Sequence, residues 1–436
     1  MTALTDRYGC ALTASSAAAR DAYVEAVDLL LAAQPGATAR FAEAVELDGG
    51  LAVAAIGRAR SLVLHGRVVE AREAAADARK RATGASRREQ QHVETLALSI
   101  DGRLPEAVAA TRAHLAEFPR DAMVLAPVTG VFGLIGFSGD LDREEQLASL
   151  LDSLAPHYGD DWWFLGLHAF ASIEAGRVAR GRQLVDRALA LNPRSANAAH
   201  VFAHACYESG ADNEGTAFLD EWMPSYSREG TLNCHLWWHV ALFAIAGGDL
   251  DTASRVYAER IAPGASWGPP MNTLTDGASL LWRAELAGAP RRLEAWRALR
   301  DYTRTSFPRA GIPFVDTHAA LACAMASDAE ALEGLGRALR ESNGAGRHPA
   351  APVVAALADA FAALARSDDT AAIERLTSVL DEHVRIGGSR AQRDLVELTL
   401  LDAYLRAGRQ AETEAMLARR PARRDLVPLG GFRRSR

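Results

Sequence analysis

Apolar residues along most of this chain recur at three- and four-residue intervals, the spacing of one helix face, and no stretch stands out with the alternation of a half-buried strand. The clearest unit runs from Trp162 to Pro193. Trp163, Leu167, Phe170 and Ala171 share one face of a first helix, Gly176 ends it, and Leu184, Ala188 and Leu191 mark a second. Leu191-Asn192-Pro193 closes the unit, because proline has no N–H to donate and its ring blocks the preceding turn.

The junction inside this unit recurs along the chain. Gly66 to Ala71, Gly102 to Ala107, Gly176 to Gly181, Gly210 to Gly215 and Gly248 to Ala253 each run from a glycine through a few mostly polar residues to an alanine or glycine, and a weaker copy starts at Gly139. Successive copies lie 34 to 38 residues apart, close to the period of ~34 residues of tetratricopeptide helix pairs. Glycine takes the left-handed conformation that ends the first helix. The small residue lets the second helix pack close, and each pair leaves an apolar face for its neighbour to cover. After Gly248 the period loosens. Pro263 to Pro270 and Ser342 to Pro349 are rich in breakers, and helical patterns resume at 351–364, 371–385 and 391–407. The pattern predicts an all-α, tetratricopeptide-like α-solenoid of antiparallel helix pairs forming a right-handed superhelix. It is expected as one repeat domain over 1–420, followed by a basic, mobile tail over 421–436 that carries Arg423, Arg424, Arg433, Arg434 and Arg436.

Chemistry concentrates in the histidines. His200 and His204 form one pair at i and i+4, and His235 and His239 form another one repeat later. At that spacing two side chains stand one above the other on the same helix face, so two adjacent first helices each present an imidazole pair. Glu208, His168 with nearby Asp160, Asp161 and Trp162, Asp276, Asp316 and His318 extend the stripe onto its own or neighbouring helices. Three readings follow: imidazoles hydrogen-bonded between helices; a polar pocket for a small organic ligand, walled by Trp237 or Trp238; or a metal site, with zinc or another transition metal on His200, His204, His235 and His239. The glutamate of a His-Glu-x-x-His zinc protease is missing, since Val201 and Leu236 stand at that position. No phosphate-binding glycine loop and no Gly-x-Ser-x-Gly occurs, and Cys206 and Cys234, beside the pairs, read as small buried thiols.

Bulk properties narrow the partners. A net charge of −7 and a pI near 6.0 leave no basic excess to neutralise nucleic acid. Four scattered cysteines, Cys10, Cys206, Cys234 and Cys323, give neither a disulfide framework nor a zinc knuckle, and fit a reduced, cytoplasmic setting. The most apolar stretch, Met123 to Phe137, is too short to span a bilayer, so no membrane association is expected.

Six ordered segments carry a family resemblance: Arg87 to Val93, Ala199 to His204, Cys234 to His239, Asp276 to Arg283, Asp316 to Ala319 and Arg385 to Asp394. Together they resemble the tetratricopeptide repeat protein 38 family, over about Ser15 to Arg419. The resemblance implies one helical-repeat domain and no particular activity. It implies that the family's motif positions include His92, His200, His204, His235, His239, Asp276, His318, Gln392, Arg393 and Asp394. Arg390, Thr129 and Val131 depart from the family pattern.

These readings lead to a binding module whose His-rich concave pocket takes a small molecule or peptide. Its expected lining is His92, His168, His200, His235, Trp238, His318, Gln392, Arg393 and Asp394. The alternatives are an enzyme, with His204 or His239 as acid/base and Asp276 or Asp394 orienting it, and a protein–protein scaffold. A homodimer is compatible with each.

Overall fold

The computed structural model describes residues 4–344 and 348–430. Helices follow one another in pairs. The first six are α1 (Ala17–Leu31) with α2 (Ala37–Leu47), α3 (Ala52–Leu64) with α4 (Val68–Arg81), and α5 (Arg87–Ile100) with α6 (Leu104–Glu117). A one-turn α7 (Ala122–Leu125) precedes α8 (Arg143–Tyr158). Then come α9 (Trp162–Glu174) with α10 (Val178–Leu191), α11 (Ala196–Ser209) with α12 (Asp212–Trp222), and α13 (Asn233–Gly247) with α14 (Leu250–Val256). The last eight are α15 (Pro270–Leu286) with α16 (Leu293–Ser306), α17 (Pro313–Met325) with α18 (Ala329–Gly344), α19 (Ala351–Ala365) with α20 (Asp369–Val379), and α21 (Arg390–Arg406) with α22 (Gln410–Ala418). Among the described residues a single bridge, Thr5 to Ala11, is the only β-structure. The chain has an all-α, tetratricopeptide-like solenoid fold.

The recurring glycines work as read. Gly66, Gly102, Gly176, Gly210 and Gly248 all adopt positive φ, between 74° and 86°, where an L side chain would clash. The small residue in the following helix is equally constrained. A Cβ on Gly181 would lie 2.4 Å from Ile173 Cγ1 and 2.7 Å from the Ala169 carbonyl oxygen. The copy at Gly139 differs. No regular helix precedes it, and residues 129–138 form consecutive turns held by backbone bonds from Leu134 to Pro127 and from Ile135 to Val128. Gly133 and Gly136 approach the Thr129 and Val131 carbonyl oxygens too closely to carry a side chain.

The array curls back on itself. Ala196 donates its N–H to Ala32 at 3.0 Å, and the Tyr226 hydroxyl donates to Ala33 at 2.6 Å, tying the first hairpin to the middle. From the other end α21 packs against α11 and α15. The Arg390 N–H donates to Glu174 at 2.7 Å, the Trp282 indole donates to the Thr399 hydroxyl at 2.8 Å, and Tyr207 donates to Asp394. Arg143 donates to the Gly136, Val384 and Gly388 carbonyls, pinning the 129–138 turns and the loop before α21 to α8. The inner face of the middle repeats is therefore covered rather than open.

The expectation of a mobile tail from Pro421 is corrected as far as Gly430. Residues Pro421–Leu426 form a short 3-10 helix, Val427 and Leu429 are buried, and the Gly430 N–H donates to Leu286. Arg423 is buried, stacked on Tyr207 and paired with Asp212 at 2.8 Å. A guanidinium with a carboxylate and an aromatic face to meet is held, not solvated. Residues 431–436, with Arg433, Arg434 and Arg436, lie outside the described residues.

Candidate functional site: a buried histidine tetrad

α11 begins at an N-cap serine, Ser195, whose hydroxyl accepts the Ala198 N–H, and it ends at left-handed Gly210. That register puts His200 and His204 on the face toward α13, where His235 and His239 stand at matching positions one repeat later. One candidate ligand atom from each of the four imidazoles lies within 4.8 Å of the others, and all four residues are buried. The Nε2 atoms of His200 and His204 are 2.9 Å apart, and their rings cross at 87°. His239 stands edge-on to His204 and His200, with ring centroids 4.6 and 5.3 Å away.

Neighbours fix some of these rings. His235 Nδ1 donates to the Asp276 carboxylate on α15 at 3.0 Å, and Asn272 donates to the same carboxylate at 3.2 Å. That contact occupies Nδ1 and orients the ring, leaving Nε2 as its other nitrogen. Trp238 stacks on His235 at 5.0 Å, with an interplanar angle of 14°. On the opposite side Phe170 lies against His204 and His200, and Glu174 Oε1 lies 3.7 Å from His204 Nδ1. Several polar atoms have no hydrogen-bond partner among the described residues: both nitrogens of His239, His204 Nδ1, Glu174 Oε1, Trp238 Nε1 and His318 Nε2. Each stranded buried polar atom costs about 1–3 kcal/mol, and the four-histidine cluster is capable of coordinating a ligand or a metal ion.

Burial controls the charge states. Desolvation first, then the neighbouring imidazoles, hold His200, His204 and His239 well below the usual imidazole range, so all three are neutral at pH 7. Burial likewise lowers His318 to about 4. Glu174 is pushed up to about 8 by burial and by Glu144, so its carboxyl keeps its proton at neutral pH. A neutral imidazole keeps one lone pair in the ring plane, the form that ligates a metal. The donor set therefore suits a transition-metal ion.

The sequence-predicted residues divide. His200, His204, His235 and His239 come together, with Asp276 on His235 and Trp238 as a wall. Trp237 is instead partly buried, under the Arg260 guanidinium. His318 sits on α17, donating from Nδ1 to the Phe314 carbonyl at 2.7 Å. His92 and His168 have other partners. His92 is sealed with Asp121, which also takes Arg88 and His114, and His168 pairs with Asp152 and Arg180. Gln392 caps α21 with Ser389, Arg393 pairs with Glu144 and the Gly388 carbonyl, and Asp394 holds Arg420 and Tyr207. Asp160 and Asp161 pair outward with Arg187 and Arg7. Asp316 accepts the Gly311 N–H, and Glu208 faces Arg390. Burial raises the Cys206 thiol to about 12 and raises Cys234 further, so both hold their protons at neutral pH.

Sequence reasoning missed Phe170, Glu174 and Asn272. The repeat itself carried a signal, because Phe170 and Glu174 each lie 34 residues before His204 and Glu208 (204 − 170 and 208 − 174).

No protein-family model matches the chain. Solved structures that it is similar to include a structure of Naa15/Naa10 bound to HypK-THB, at 13% identity with a TM-score of 0.22, covering 94% of this chain and 64% of that one. Another is the P58(IPK) TPR domain, at 14% identity with a TM-score of 0.20, covering 90% and 99%. At these TM-scores neither superposes well enough to carry an argument about function. No helix among the described residues is long and apolar enough to cross a membrane.

Proposed function

We propose that this chain is a metal-binding helical-repeat protein in which His200, His204, His235 and His239 together hold one transition-metal ion. The observation that carries the reading is the convergence of four buried imidazoles from two adjacent repeats, with both His239 nitrogens and His204 Nδ1 unpaired among the described residues. Imidazole donors suit zinc, copper, nickel or iron, and the Asp276 carboxylate on His235 is the kind of support that metal-bound histidines receive. The burial of all four rings favours an ion over an organic molecule. A crevice bounded by Phe170 and Glu174, with room for about a single water (≈ 10 Å³), is lined by none of the tetrad. A surface depression of about 390 Å³, lined by Asp21, Glu25, Asp28 and Trp162, contains none of the tetrad. The acid–base alternative has less support, because His204 and His239 are sealed from any substrate-sized space. Membership of the tetratricopeptide repeat protein 38 family is part of the proposal and rests on the six ordered segments.

The test is metal analysis of purified chain, followed by titration of the metal-free protein with zinc, copper, nickel and cobalt. One ion per chain is expected, lost in the His204→Ala/His239→Ala double variant with its helical circular dichroism retained. Failure of all four ions to bind stoichiometrically would refute the proposal.

A further inference from the structure

We propose that Glu174 is the positioning residue for His204, orienting that ring on the metal as Asp276 orients His235; this role rests on the metal reading above. His204 turns Nε2 toward the cluster, 2.9 Å from Nε2 of His200, so Nε2 is its ligating atom. A neutral imidazole carries one hydrogen. With Nε2 on a metal, that hydrogen sits on Nδ1 and needs an acceptor. The carboxyl oxygen beside Nδ1 is Glu174 Oε1, 3.7 Å away. Both atoms are buried, and neither has a hydrogen-bond partner among the described residues. The gap exceeds a hydrogen bond by about 0.5–1 Å, which a small swing of the His204 ring closes.

The surroundings hold Glu174 for this role. It is the last residue of α9, and its other oxygen, Oε2, accepts the Arg390 N–H at 2.7 Å. That bond anchors the carboxyl to the first residue of α21 and leaves Oε1 for His204. The arginines nearby are engaged elsewhere. Arg393 pairs with Glu144, Arg143 donates to the Gly136, Val384 and Gly388 carbonyls, and the Arg390 guanidinium reaches Glu208. Among the described residues His204 is the one group within ion-pairing distance of Glu174. Glu208 stands at the equivalent point one repeat later (208 − 174 = 34) and meets Arg390 instead. Glu174 on α9 and Asp276 on α15 therefore brace the tetrad from the helices that flank α11 and α13, and no carboxylate among the described residues pairs with His200 or His239.

The experiment reads the imidazole N–H protons of the zinc-loaded chain, labelled with nitrogen-15 at histidine, by nuclear magnetic resonance. Two tetrad resonances, those of His204 and His235, should lie downfield of the other two, as hydrogen-bonded protons do. Asp276→Ala should move one of them upfield and Glu174→Leu the other, and Glu174→Leu should also weaken zinc binding by about 10–100-fold. Glu208→Leu, which removes the equivalent carboxyl, should leave both resonances in place. A carboxyl that served only to hold Arg390 would leave the His204 proton unmoved. A single downfield tetrad proton in the wild type, lost in Asp276→Ala, would overturn the positioning role whether or not Glu174→Leu folds, and so would a Glu174→Leu spectrum that keeps both. Failure of zinc to bind the wild type would strike the metal reading instead.

Discussion

Acidifying the metal-free protein from pH 7 to pH 5.5 should destabilise it, by an amount that the buried groups set. His200, His204 and His239 stay neutral in the fold, and His318 is lowered to about 4. In the unfolded chain each returns to about 6.5. Because their folded values are depressed, the unfolded state binds more protons below 6.5, so stability present above that pH is lost as pH falls. Each contributes a loss of about 1.3 kcal/mol over this interval, about 5 kcal/mol for four. Two acids act oppositely. Glu174, raised to about 8, and Asp316, raised to about 6, hold protons that the unfolded chain has released, and this stabilises the fold as pH falls. They return about 2 and about 1 kcal/mol. For these six groups the balance is a net loss of about 2 kcal/mol, read as a lower urea midpoint by far-ultraviolet circular dichroism in chelator at fixed ionic strength. Subtracting His239 isolates one contribution: in His239→Phe the loss should shrink by about 1.3 kcal/mol. An identical pH dependence in wild type and variant would refute the claim that this imidazole is buried and neutral.

Other expectations concern neighbouring parts of the structure. Asp276→Ala frees the His235 ring, so metal affinity should fall by about 10–100-fold while helical content stays, as read by competition with a chromophoric chelator. Gly181→Val drives a side chain into Ile173 and the Ala169 carbonyl, which should cost about 1–3 kcal/mol or more in a urea titration. Arg423→Ala leaves Asp212 buried without its partner; a loss of about 3–5 kcal/mol should appear as faster proteolysis of the C-terminal segment, and unchanged cleavage would contradict its docking.

Much of this protein was written locally. The three- and four-residue spacing and the glycines at Gly66, Gly102, Gly176, Gly210 and Gly248 act within one helix pair, so helix, junction and repeat could be read from short windows. The histidine pairs were legible for the same reason: helical geometry puts i and i+4 on one face, and the repeat stacks His235 and His239 against His200 and His204. Tertiary structure alone decided how far the array curls, because the small rotation between repeats accumulates over many units and no single window contains it. That curl brings Arg390 to Glu174 and Arg423 to Asp212, across more than two hundred residues. It turns the expected concave pocket into a covered interior. It also left His92 and His168 with their own carboxylates, Asp121 and Asp152. An imidazole in sequence announces only that it can bind; which nitrogen stays unpaired depends on the neighbours that folding delivers.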